Sequence, residues 1–169
     1  MKLSELIRSL DFSQLLSLNK YFLSNPLFFI ATITATKSCM LICNDQFGDT
    51  HHQNNQANAF RHAFWNAMII RQCLKYTSKV ENAMSWSKKI TDWHEEFSPN
   101  ERLARVMDLH NNAVGRTFYL NTFGNSRPEL SEMTISYRKL ADHSIQIYSS
   151  SIGDDLSDSL VYIEQLKSE

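Results

Sequence analysis

The chain has 169 residues, 43% of them hydrophobic, which is enough for one domain with a real core and too apolar for a disordered chain. A formal net charge of -1 leaves no electrostatic footprint for nucleic acid, so a nucleic-acid partner is disfavoured. With only 4 glycines and 3 prolines, a many-turned β fold is less expected than long helices.

Leu3, Leu6, Ile7 and Leu10 recur at helical spacing and predict an amphipathic first helix, continued by Leu15, Leu18 and Phe22. Lys2, Glu5, Arg8 and Asp11 interrupt this stretch, so it is not the unbroken apolar run of a Sec signal peptide. The protein is therefore expected to be cytoplasmic or exported by a specialised secretion system. Ser24-Asn25-Pro26 reads as a stop and restart, with Pro26 in the first helical position. Leu27 to Cys43 is the most apolar stretch, but Lys37 and several hydroxyl residues interrupt it. A buried helix is expected there rather than a membrane span, with membrane contact left open. The β-branched content of Leu27 to Ala35 also fits a strand. Asn44 to Asn58 is polar, contains Gly48 and reads as a loop, in which His51 and His52 are expected to be exposed.

A helix follows from about Asn58 to Tyr76. Phe60, Ala63, Phe64, Ala67, Ile70 and Leu74 form one stripe, and Trp65 and Ile69 lie on the other side, so this helix should be central and buried. Glu81 to Phe97 and Glu101 to Leu120 are the next two helices. Pro128 opens another that runs through Tyr148, and Asp154 to Lys167 forms the last. The expected architecture is all-α: a single domain over 1–169, a bundle of about six or seven helices, with its motif core at about 55–120.

Three groups carry candidate chemistry. Asn58, His62 and Asn66 are spaced i, i+4, i+8 and share one helix face, with Arg61 beside them. Asp92, His94 and Glu95 form the second group. His94 is expected to point toward the core, Asp92 and Glu95 more outward, where the two acids could share a metal or a proton. The third is Asp108, His110, Asn111, Asn112, Gly115 and Arg116. His110 lies in mid-stripe, Gly115 permits close helix approach, and Arg116 could pair with Asp108, Asp92 or an anionic substrate. Histidines from facing helices of a bundle are a common route to a metal or catalytic site. The candidate catalytic residues are His62, His94, Glu95, Asp108 and His110. Asn58, Arg61, Asn66, Asn111 and Arg116 are candidate substrate contacts. Asp92, His94 and His110 are candidate ligands of a divalent metal such as zinc.

No H-E-x-x-H, nucleophile-elbow or phosphate-loop motif is present. Cys39 and Cys43 sit at i, i+4 and Cys73 stands apart. No C-x-x-C occurs, and all three read as small buried hydrophobes.

The strings Asn58-Ala-Phe-Arg-His-Ala-Phe-Trp-Asn66, Thr91-Asp-Trp-His-Glu95 and Met107-Asp-Leu-His-Asn-Asn-Ala-Val-Gly-Arg116 together resemble a bacterial α-helical domain family found in secreted and polymorphic-toxin-like proteins. They span about a third of the chain. The resemblance implies a helical domain with a shared polar pocket, and it supplies no reaction. The toxin context implies a cognate immunity protein or secretion machinery as partner, with membrane or cell-wall contact.

The leading functional expectation is a hydrolase, a delivered antibacterial effector acting on an envelope substrate, lipid or peptidoglycan. In one version the site residues hold a metal that activates water. In the other, one histidine acts as general base, oriented by a carboxylate. Two alternatives stand beside it: a non-enzymatic helical interaction module with a buried His/acid network, and a nuclease-type toxin using Arg61, Arg71 and Arg116 on phosphates.

Overall fold

Residues 12–97, 100–149 and 153–163 are described in a computed structural model of the chain. The expected helix at Leu3 to Leu10 lies outside them. Helix α1 spans Phe12–Ser24 and α2 spans Pro26–Phe47. The restart between them forms as the sequence predicts: the Asn25 side chain accepts the Phe28 amide at 3.1 Å, with Pro26 in the first turn. Leu27 to Ala35 is helical, so the strand alternative fails. Thr32, Thr34 and Thr36 return their hydroxyls to carbonyls one turn back, which accommodates them in a helix. Phe28, Ala31, Thr32, Ala35, Cys39 and Cys43 are its buried stripe, mostly small residues that let α2 lie close to its neighbour. All three cysteines are buried and free, as read from the sequence.

The segment expected as a loop is more ordered than its polarity indicated. Helix α2 continues to Phe47 and a 3-10 turn follows at Gly48–His52. Gly48 closes the helix at φ 57, a conformation that favours glycine. His51 is fully buried, contrary to the expected exposure, while His52 is exposed. His51 Nε2 bonds the Asn44 side chain at 2.7 Å, which satisfies one ring nitrogen inside the turn.

Asn55 caps helix α3, Gln56–Cys73, through the Asn58 amide. It is buried on nearly all sides and contacts α2, α4 (Val80–Phe97), α5 (Arg102–Phe123) and α6 (Leu130–Asp142). The chain is thus an all-α bundle of six helices among the described residues, built around α3. Gly115 marks a tight crossing: a Cβ there would fall 2.5 Å from the Ala63 Cα and carbonyl oxygen. The close approach read from Gly115 is therefore the α3–α5 contact.

Two expected helical segments are not helical. Helix α6 stops at Asp142, and Ile145–Gln146 (β1) pairs in parallel with Val161–Tyr162 (β2). The segment from Asp154 forms only a short 3-10 turn before β2; residues 164–169 lie outside the described residues. Its apolar positions fit a helix, but an extended path wins because polar groups of the bundle bind its backbone. Asn111 takes the Val161 amide and donates to its carbonyl, each at 2.8 Å. Asn54 accepts the Ile163 amide at 2.8 Å. These bonds replace the ones a helix would form within itself, and Leu160 and Val161 are buried in return.

Candidate functional site

Three helices each send an i, i+4, i+8 polar stripe into the bundle. Helix α3 supplies Asn58, His62 and Asn66; α4 supplies Ser87, Thr91 and Glu95; α5 supplies Asp108, Asn112 and Arg116. All nine side chains are buried. Burying so many polar groups without partners would cost several kcal/mol for each charged one, so their bonding decides what the stripes are for.

The deeper part is well bonded. Asn66 Oδ1 accepts from Ser87 Oγ at 2.8 Å, Arg116 Nη1 at 2.9 Å and Thr91 Oγ1 at 3.3 Å. Its amide nitrogen donates to the His62 carbonyl at 2.9 Å and to Asn112 Oδ1 at 2.7 Å. Asn112 in turn donates to Glu95 Oε1 at 3.3 Å. Asn66 is the hub, and Asn112 carries the network to the upper level.

At that upper level His62, Glu95 and Asp108 meet, with 3%, 0% and 2% exposure. His62 Nδ1 stands 3.4 Å from Glu95 Oε1, and Nε2 stands 3.2 Å from Asp108 Oδ1. One potential ligand atom from each of the three lies within 4.8 Å of the others. His62 Nδ1, Glu95 Oε2 and Asp108 Oδ1 have no hydrogen-bond partner, and neither does Asn58 Oδ1 one turn away on α3. Arg61 caps the group from outside: its guanidinium donates to His62 Nε2 at 2.8 Å and reaches His52 Nδ1 at 3.3 Å. That contact makes Nε2 an acceptor. An acceptor nitrogen 3.2 Å from a carboxylate oxygen is repulsive unless a proton or a cation lies between them.

The two acids are driven in opposite directions. Burial works to raise both carboxyls. For Glu95 the adjacent His62 imidazole, helped by His94 and Asn112, outweighs burial and holds the group below the usual carboxylate range. For Asp108 burial wins. The negative charge of Glu95 adds to it, against His62, Arg61 and the Asn100 amide, which donates to Asp108 Oδ2 at 3.0 Å. A bound divalent cation would relieve this burial of negative charge. Imidazole nitrogen with two carboxylate oxygens is a donor set that such an ion accepts.

Several expected site residues lie elsewhere. Asp92 pairs with Lys88 on the surface of α4. His94 is exposed and sets its ring edge-on to Trp65, 5.2 Å between centroids. His110 Nε2 donates to the Ser159 carbonyl at 2.8 Å, and Asn111 clamps β2, so both hold the C-terminal strand. Asp92, His94 and His110 therefore form no ligand cluster among the described residues. Glu95, read as outward, is fully buried, and His94, read as inward, is not; successive helical side chains differ by about 100°. Arg116 meets Asn66 and Thr91 where Asp108, Asp92 or a substrate was expected. Sequence reasoning missed Ser87, Thr91, Asn100 and the bridging role of Asn112. The first two repeat at i, i+4 with Glu95, the same signal that marked Asn58, His62 and Asn66.

A search of curated proteins finds no match to this chain. A family model described as Domain of unknown function (DUF6973) matches residues 19–142, a stretch that contains all three polar stripes, and the chain belongs to that family.

Proposed function

We propose that the chain is a hydrolase whose centre is a divalent-metal site formed by His62, Glu95 and Asp108. One observation carries the reading: three buried residues each offer a ligand atom within 4.8 Å of the others, and each keeps one side-chain nitrogen or oxygen without a hydrogen-bond partner. A network that served packing alone would be expected to satisfy its members, as Asn66 is satisfied a turn deeper. His62, Glu95 and Asp108 would hold the ion, which when bound supplies a Lewis acid and lowers the pKa of a bound water. Zinc accepts imidazole and carboxylate ligands together, and manganese favours the carboxylates.

The chain's own groups have separable tasks. Asn112 orients Glu95 and Asn100 orients Asp108. Arg61 is half-buried at the outer edge and would be the group to meet an anionic part of a substrate. Asn58, with an unbonded carbonyl oxygen in the wall, is the other candidate contact. In a metal-free version of the same reading, His62 is the base and Glu95 orients it. The motif resemblance and the balanced net charge favour a bacterial effector acting on lipid or peptidoglycan over one acting on nucleic acid.

Calorimetric titration of the stripped protein with zinc and with manganese tests the centre, and the loaded protein is then assayed on lipid esters and peptidoglycan. One site per chain is expected, weakened at least about a hundredfold in Glu95→Gln and Asp108→Asn. Hydrolysis should disappear in the same variants. Absence of metal binding, with hydrolysis unchanged in His62→Ala, defeats the reading.

A further inference from the structure

Helix α2 is long and apolar enough to cross a membrane, yet only a minority of its apolar window is buried. The remainder forms a surface. Leu27, Ile30, Ile33 and Leu41 project from one side of α2, and Phe22 and Leu23 extend it across the end of α1. These are six of the eleven exposed large apolar residues among the described residues, so the exposure is concentrated here. Leu23 is 72% and Leu41 61% exposed.

Two features choose the occupant. Lys37 is the only charged residue between Pro26 and Asn44, and it is exposed on the same side as Ile30 and Leu41 at about 100° per residue. Lys20 is exposed on α1 close to Phe22 and Leu23. An apolar face with lysines embedded in it matches an anionic headgroup layer, into which lysine stems lie flat while the ammonium meets phosphate. The opposite side of α2 rules out a spanning arrangement of this fold. Thr32 and Thr36 accept the indole N–H groups of Trp86 and Trp65 at 2.9 Å and 2.8 Å, bonds that insertion of the whole helix would break.

We propose that the outer face of α1 and α2 docks on the surface of an anionic lipid bilayer. The helix lies in the plane of the interface, with Leu23, Leu27, Ile30 and Leu41 buried among the acyl boundary and Lys20 and Lys37 on the headgroups. The inference is independent of metal binding. The site lies on the other side of α2, where Thr36 bonds Trp65 and the Cys39 thiol lies 3.8 Å from the Arg61 carbonyl.

The test is co-sedimentation of the full chain with vesicles of phosphatidylglycerol and phosphatidylcholine in equal parts, against phosphatidylcholine alone. Binding is expected to the anionic vesicles, to weaken with salt, and to be released by alkaline carbonate. Ile30→Glu with Leu41→Glu should lower it at least about tenfold, and Lys37→Gln about fivefold. His62→Ala should bind vesicles as the parent does, which separates this proposal from the catalytic one. Circular dichroism melts of each variant check that the fold persists: Ile30, Lys37 and Leu41 are exposed, whereas His62 is buried. Equal binding to both vesicle types, resistance to carbonate, or a dimer in solution that Ile30→Glu dissociates without any lipid binding would each overturn the proposal.

Discussion

Asn66 and Arg116 are joined by a hydrogen bond of 2.9 Å in which a buried guanidinium is held by a neutral amide oxygen. The same oxygen also accepts from Ser87 and Thr91, so one atom anchors side chains of α4 and α5 to α3. Burial lowers the Arg116 pKa, with the charge of Asp92 opposing it. The arrangement works because the donors share an acceptor that carries no desolvated charge of its own.

Removing that acceptor should therefore cost more than one hydrogen bond. Asn66→Ala removes the acceptor shared by a buried cation and two hydroxyls, leaving them only their remaining bonds to Thr91 and to backbone carbonyls, and should destabilise the fold by about 3 kcal/mol or more. Urea unfolding measures this. A loss under about 1 kcal/mol would mean that water or rearrangement replaces the hub.

Asn112 should affect the centre without being a ligand. Asn112→Ala removes the amide that orients Glu95 Oε1 and is expected to weaken zinc or manganese binding about 10-fold to 100-fold while leaving one site per chain. Titration calorimetry distinguishes this from complete loss of the site, which is expected only for the three ligands.

Gly115→Ala tests the α3–α5 crossing. The added methyl meets backbone atoms of Ala63, which cannot swing aside as a side chain would. The helices must separate, costing about 1–3 kcal/mol and about 3–10 °C in Tm. The Tyr137 hydroxyl, which donates to the Gly115 carbonyl at 2.6 Å, should report the shift in near-ultraviolet circular dichroism.

His51 predicts a pH dependence away from the His62, Glu95 and Asp108 cluster. Burial, then the neighbouring His52 and Arg61, lower its pKa against the weaker effect of Asp49. The folded state thus resists a proton that the unfolded chain accepts at about pH 6.5. The stability it contributes is present above that pH and is lost as the pH falls below it. Thermal melts of metal-free protein should drop from about pH 7 to pH 5, and His51→Gln should flatten the slope. Equal slopes in the two proteins would remove His51 as the cause.

Asn111 should behave as a clamp, with no part in catalysis. Asn111→Leu removes both bonds to Val161, so amide hydrogen exchange at 160–163 should accelerate at least about tenfold. Metal affinity and hydrolysis should stay at the parent level. A fall in either would return Asn111 to the site.

The sequence by itself determined the helical class, the Asn25-Pro26 restart, the central burial of α3 and the close approach at Gly115. Each follows from local rules: apolar period, cap chemistry and the missing Cβ. His62 was also legible, because Asn58, His62 and Asn66 recur every fourth residue and share one face. Only the tertiary structure decided which side chains of α4 and α5 face it. Their apolar stripes are broad enough that either of two neighbouring residues fits the pattern, so the rotation of each helix is set by what it packs against. That rotation turns Glu95 and Asp108 inward and leaves His94 and His110 to the surface and the C-terminal strand. The strand itself was illegible for a related reason. Its apolar spacing suits a helix, and its extended path depends on Asn54 and Asn111, distant in sequence, whose hydrogen bonds exist only once the bundle has formed.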